Sequence, residues 1–185
     1  AYFQAFEANF FESLAKLCPD PERATAVKSH FLGLIRNHYH PPMIAGMVDV
    51  VRALARLHLL AVLSSNAFEV IRRILIEAGI DGCFARVFSG DLEPRKTVSI
   101  RRFLEDPSYG FDLQGAGPHQ TMPPRRGALA AEDVVLVTDT SGDVLEAREA
   151  GIRAIGVAWG MHSAQQLLDA GADCVFVPGL RDGAT

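Results

Sequence analysis

The sequence predicts an α/β fold, a parallel sheet with helices on both faces, preceded by a small helical segment. Three observations predict it. From about residue 41 onward, strand-like and helix-like stretches alternate, the pattern of a parallel sheet whose crossovers are helices. The strand-like stretches are unbroken apolar runs, as expected for strands covered on both sides. One of them, Val134-Val135-Leu136-Val137-Thr138, delivers two acids, Asp139 and Asp143, to the point where a helical pattern begins.

The first elements are helical. Phe6, Phe10, Leu14 and Leu17 recur at helical spacing until Pro19 and Pro21 break the run. A second helix is predicted over Glu22 to Asn37, with Ala26, His30, Phe31, Leu34 and Ile35 on its apolar side. The two would form a helical hairpin, which Pro41-Pro42 closes. Then come a helix at 44–57, a strand at 59–64, a helix at 67–78, a strand at 84–88 and a helix at 96–105. A strand at 133–138, a helix at 142–150, a strand at 153–157, a helix at 163–170 and a strand at 173–177 complete the series. The interval 107–131 is rich in Pro and Gly and has no periodicity, so it is predicted as a long loop. There is no internal repeat. The expected division is 1–40, helical, and 41–185, the α/β core.

Composition narrows the function classes. A chain of 185 residues with 49% hydrophobic content suits one domain, or one domain with a small appendage. A net charge of −4 without a Lys/Arg run argues against nucleic-acid binding. The longest apolar runs are strand-sized, so no membrane-spanning helix is expected. No signal-peptide pattern is visible. Cys18, Cys83 and Cys174 are far apart and form no CxxC, which reads as reduced thiols in a cytoplasmic protein. A monomer or homodimer is expected. The chain begins with Ala1, and further sequence upstream is expected.

In open parallel sheets, ligands sit beyond the carboxyl ends of the strands. The strand at 59–64 ends in Ser64-Ser65-Asn66 before a helix. These groups suit a phosphate oxygen, or else Ser65 or Asn66 caps the helix. The next strand ends in Ser89-Gly90-Asp91, with Pro94-Arg95-Lys96-Thr97 just after it. Lys96 can neutralise a phosphate or a carboxylate, or be a solvated first-turn lysine. Asp139 and Asp143, flanked by Thr138, Thr140 and Ser141, suit a hard cation such as Mg²⁺, or a cap and a first-turn acid. His38 and His40 read as exposed hinge polarity without an acid nearby, Trp159 as rim packing, and Arg72, Arg73, Arg101 and Arg102 as solvated helix faces. His162 is a candidate for the pocket lining.

Together these strand ends resemble the haloacid dehalogenase (HAD) superfamily, in particular its phosphoglycolate-phosphatase-like branch with a helical cap after the first strand. Ala61-Val62-Leu63-Ser64-Ser65-Asn66 resembles the second motif. Lys96 falls where the third-motif lysine does. Asp139-Thr140-Ser141-Gly142-Asp143 resembles the acidic fourth motif, and Glu146–Ile152 with Gly156-Val157-Ala158-Trp159-Gly160 resembles its continuation. The resemblance implies a HAD-like, Rossmann-like core at 41–185 and a cap at 1–40. It implies that Ser64 hydrogen-bonds the transferring phosphoryl group, with Ser65 and Asn66 beside it on the substrate. It also implies that Lys96 stabilises nucleophile and phosphate, and that Asp139 and Asp143 hold Mg²⁺. Thr138 stands where the motif usually has Gly, and Arg95 and Thr97 stand where Gly and Pro often flank the lysine.

The first motif departs most. Family members open with a strand ending Asp-x-Asp, whose first Asp attacks phosphorus. No Asp-x-Asp occurs among the 185 residues, and in the echo Asp182-Gly183-Ala184-Thr185 the nucleophile's place is taken by Leu180. That strand lies mid-sheet in the family, and its loss would leave buried backbone groups unpaired. Two expectations arise: the chain is part of a longer phosphatase whose first strand lies upstream, or another segment such as Tyr2–Phe6 substitutes. The function expected is Mg²⁺-dependent hydrolysis of a small phosphorylated, phosphoglycolate-like metabolite. The alternative is a catalytically inactive HAD-fold binding or regulatory module. A Rossmann-type nucleotide binder is disfavoured because no Gly-rich turn succeeds any strand.

Overall fold

The computed structural model describes residues 17–112 and 127–177. Tyr2–Phe6, the first predicted helix and Asp182–Thr185 lie outside them. The chain divides into two compact units. One comprises the described parts of Ala1–Ala24, Lys96–Leu104 and Leu129–Thr185, and the other those of Thr25–Arg95 and Glu105–Ala128.

The second unit carries most of helix α1 (Pro21–His38), then α2 (Met47–Ala55), β1 (Ala61–Ser64), α3 (Phe68–Glu77), β2 (Arg86–Ser89) and β3 (Phe111–Asp112). β1 and β2 run parallel, in register from Ala61 opposite Arg86 to Ser64 opposite Ser89. β3 adds antiparallel to β2, so part of the predicted loop is a short edge strand. Its apolar core gathers Ala55, Ile71, Leu75, Ile80, Cys83 and Val87, with Val48, Val51 and Phe68 against them. Val48, Val51 and Ala55 on α2 and Phe68, Ile71 and Leu75 on α3 recur at helical spacing, which is why those helices bury one face.

α1 begins where Asp20 caps it, Oδ1 accepting the Glu22 amide at 3.0 Å. It buries none of its residues, so the predicted apolar side packs only partly. Polar contacts hold its C-terminal end instead. The Arg73 guanidinium donates to the carbonyls of Arg36 and Tyr39, satisfying acceptors that a helix end leaves open. Arg73 is therefore a helix-end clamp, not the solvated residue expected from sequence. His40 also differs, because an acid is nearby: its Nδ1 lies 3.5 Å from Glu77 Oε1.

The first unit carries α4 (Lys96–Glu105) up to Leu104, β4 (Val135–Thr138), α5 (Ser141–Ala150), β5 (Arg153–Val157), α6 (Ala164–Asp169) and β6 (Cys174–Phe176). Its strands are parallel in the order β4-β5-β6. The face bearing Thr138, Ala154 and Gly156 is buried, and a Cβ on Gly156 would lie 3.1 Å from Leu167 of α6. The opposite face leaves Val135 at 42% and Val137 at 55% exposure. No helix among the described residues is long and apolar enough to cross a membrane.

Candidate functional site

β4 is short and ends in a side chain that bonds to the first turn of the next helix. Thr138 is buried, and its Oγ1 accepts the Thr140 amide at 3.2 Å and donates to Asp143 Oδ2 at 2.9 Å. Thr140 then caps α5, its side chain accepting the Asp143 amide. The cap expected at Asp139 is therefore Thr140, while Asp143 is the first-turn acid that a helix N-terminus favours.

Lys96 reaches the same carboxylate. Its Nζ lies 2.5 Å from Asp143 Oδ1, with both side chains largely buried, 13% and 19% exposed. Asp143 is thus engaged at both oxygens, and the solvated-lysine alternative is excluded. Lys96 opens α4, whose next residue, Thr97, is fully buried. Thr97 donates its amide to Glu146 Oε2 on α5 at 2.8 Å.

Asp139 is held differently. Its carbonyl accepts the His162 amide at 3.1 Å, and its Oδ2 accepts the Met161 amide at 2.9 Å. This requires backbone close by, which Gly160 permits: a Cβ there would lie 2.0 Å from Asp139 Oδ2. The His162 ring, 5% exposed, accepts the Ser141 amide through Nδ1 at 3.1 Å. His162 therefore joins the loop after β5 to the start of α5.

Ser64, Ser65 and Asn66 belong to the other unit. Ser64 Oγ accepts the Asn66 amide at 3.2 Å, and the Asn66 carbonyl accepts the Gly90 amide at 3.0 Å. Neither Ser65 nor Asn66 caps α3. The residue before α3 is Ala67, without a side-chain cap, and Asp91 Oδ1 accepts the Phe68 amide at 3.1 Å in its place. Gly90 is confined by backbone, since a Cβ there would lie 2.3 Å from the Ser65 carbonyl oxygen.

The donors present fit Mg²⁺ in kind. With Asp143 occupied, Asp139 offers the open carboxylate, for among the described residues its Oδ1 accepts no hydrogen bond. No group of three or more His, Cys, Asp or Glu suited to a metal occurs among the described residues.

Sequence reasoning found Lys96, Asp139 and Asp143, which the structure gathers in one unit. It missed Asp91, Glu146 and the amide of Met161. The first two act across long sequence separations and the third through backbone, so none leaves a local pattern.

Residues 115–182 match the HAD-hydrolase-like family. The chain is 31% identical over 163 residues to the probable phosphatase IndB of Dickeya dadantii (strain 3937), covering 85% of this chain. It spans 63% of the length of that relative. A haloacid dehalogenase-like family hydrolase of Streptococcus pneumoniae superimposes with a TM-score of 0.68 at 18% identity, over 91% of this chain and 71% of that one. A haloacid dehalogenase-like protein of Agrobacterium tumefaciens (strain C58) gives 0.48 at 22% identity, over 80% and 71%.

Proposed function

We propose that the chain is a haloacid dehalogenase-like hydrolase, as its match to that family over residues 115–182 and its likeness to a probable phosphatase support, and that it provides the charge-stabilising part of a Mg²⁺-dependent phosphatase site for a small phosphorylated metabolite. One observation carries the reading. Lys96, Thr138 and Asp143 form a closed bonded set at the end of β4, beside an Asp139 with one oxygen left open.

Phosphoryl transfer asks a protein mainly for positioning and for charge opposite the phosphoryl oxygens. Asp139 would hold the metal through its open oxygen, with Asp143 joining it only where its bonds to Lys96 and Thr138 give way, and Mg²⁺ would supply Lewis-acid neutralisation of the phosphoryl oxygens. Lys96 orients Asp143 and adds a positive charge of its own. Ser64 hydrogen-bonds the phosphoryl group, with Ser65 and Asn66 beside it at the start of α3. The 185 residues contain no Asp-x-Asp, so these residues hold and stabilise and do not attack phosphorus. Phosphoglycolate-like size fits the family branch, and cytoplasmic location fits the free thiols.

The absence of Asp-x-Asp favours a second reading for these 185 residues alone, a module that binds a phosphorylated ligand without turnover.

Hydrolysis of p-nitrophenyl phosphate by the chain supplied with an Asp-x-Asp strand, with and without Mg²⁺, tests the first reading. The expected result is Mg²⁺-dependent turnover, lost in Asp139→Asn with unchanged circular dichroism. Turnover that ignores Mg²⁺, or that survives in Asp139→Asn, would overturn it. Saturable binding of inorganic phosphate with no turnover favours the module.

A further inference from the structure

The first turn of a helix leaves its amides without internal acceptors. In α4 one of these is met from another helix. Glu146 Oε2 accepts the Thr97 amide at 2.8 Å, and the Thr97 hydroxyl, itself buried, lies 3.3 Å from the Glu146 carbonyl and 3.2 Å from Oε2. One turn further on, Arg101 donates to the Glu149 carbonyl at 2.6 Å. Two adjacent residues of α4, Lys96 and Thr97, thus face Asp143 and Glu146, which sit three apart on α5 and share one side of it.

We propose that Glu146 is the positioning residue for Lys96, capping α4 across the helix interface and so holding the ammonium against Asp143. Thr97 and Glu146 work as a pair. A proline at 97 would carry no amide hydrogen and could not donate to Glu146. A threonine there supplies the donor, and a carboxylate at a helix N-terminus also complements the helix dipole. Lys96 has a long flexible stem that would otherwise sample many rotamers. Anchoring its immediate neighbour fixes where that stem begins. The proposal rests on the reading of Lys96 as the cation of a phosphate site.

Three measurements test it. In the wild-type protein, the Thr97 amide should exchange slowly with solvent by NMR, unlike an uncapped first-turn amide; fast exchange overturns the proposal without any variant. Acetylation by an amine-reactive ester, read by mass spectrometry, then reports on Lys96, with exposed Lys28 as internal reference. Lys96 should react about tenfold faster in Glu146→Ala, as a charged pair is freed, and near the wild-type rate in Glu146→Gln, which keeps an acceptor for Thr97. Lys28 should not change. An unchanged Lys96 rate in Glu146→Ala overturns the latch. Finally, inorganic phosphate should slow Lys96 acetylation in the wild type. Loss of that protection, with the Glu146 effects intact, overturns the phosphate reading and leaves the latch standing.

Discussion

Lys96 Nζ lies 2.5 Å from Asp143 Oδ1 in a setting where both side chains are mostly removed from water. Such a pair is worth little relative to two apolar groups, yet breaking it strands a charge. Asp143→Ala and Lys96→Met should each lower stability by about 1–3 kcal/mol. The double variant Lys96→Met/Asp143→Ala should cost clearly less than their sum. Urea unfolding of the four proteins closes the cycle, and strict additivity would show that the two groups do not interact.

Gly160→Ala should be destabilising out of proportion to its size. The added Cβ meets Asp139 Oδ2 at 2.0 Å, Cβ at 2.4 Å and Cγ at 2.5 Å, so the carboxylate or the loop must move. Overpacking of this kind costs about 1–3 kcal/mol. The amide resonance of Met161 should shift at the same time, because it donates to that oxygen. A protein with wild-type stability and an unmoved Met161 signal would show that the loop yields freely.

His162 should tolerate Asn better than Leu. Its contribution is an acceptor at Nδ1 for the Ser141 amide, and the Asn amide oxygen sits at a similar distance along the side chain. Leu leaves that amide unsatisfied at a buried helix start, a loss of about 1–3 kcal/mol. Thermal unfolding should rank wild type above His162→Asn and that above His162→Leu. The reverse order of the two variants would make His162 an apolar filler.

Much of this fold was legible because it is written in local periodicity. The strands at 153–157 and the helix at 96–105 fall where apolar runs and helical spacing put them, and Asp139 and Asp143 stood out as acids at a strand end. β3 was not legible, because two residues, Phe111 and Asp112, are too few to carry a period. Nor was the cap of α3: Asp91 lies 23 positions from Phe68 in sequence, while Ser65 and Asn66 sat where a local cap is normally supplied. The place of Lys96 at the start of a helix was legible in a motif, whereas its bond to Asp143 and the bond of Thr97 to Glu146 required the packing of α4 on α5.

Cys83 should be the least reactive thiol under native conditions and should make stability fall in mild alkali. It is 1% exposed, while Cys174 is exposed. Burial pushes its thiol above the ordinary value of 9.0; the positive charge of Arg52 opposes this, and Asp81 adds to the rise. A raised value in the folded state means that the native protein holds the proton more tightly than the unfolded chain does. The resulting stability is complete below pH 9.0 and is lost as pH climbs through the raised folded value. Iodoacetamide at neutral pH should therefore modify Cys174 well before Cys83. Across the alkaline range, wild-type stability should fall more steeply with pH than that of Cys83→Ala, which has no thiol to ionise. Parallel slopes for the two proteins would mean that Cys83 titrates alike in both states and that burial does not perturb it.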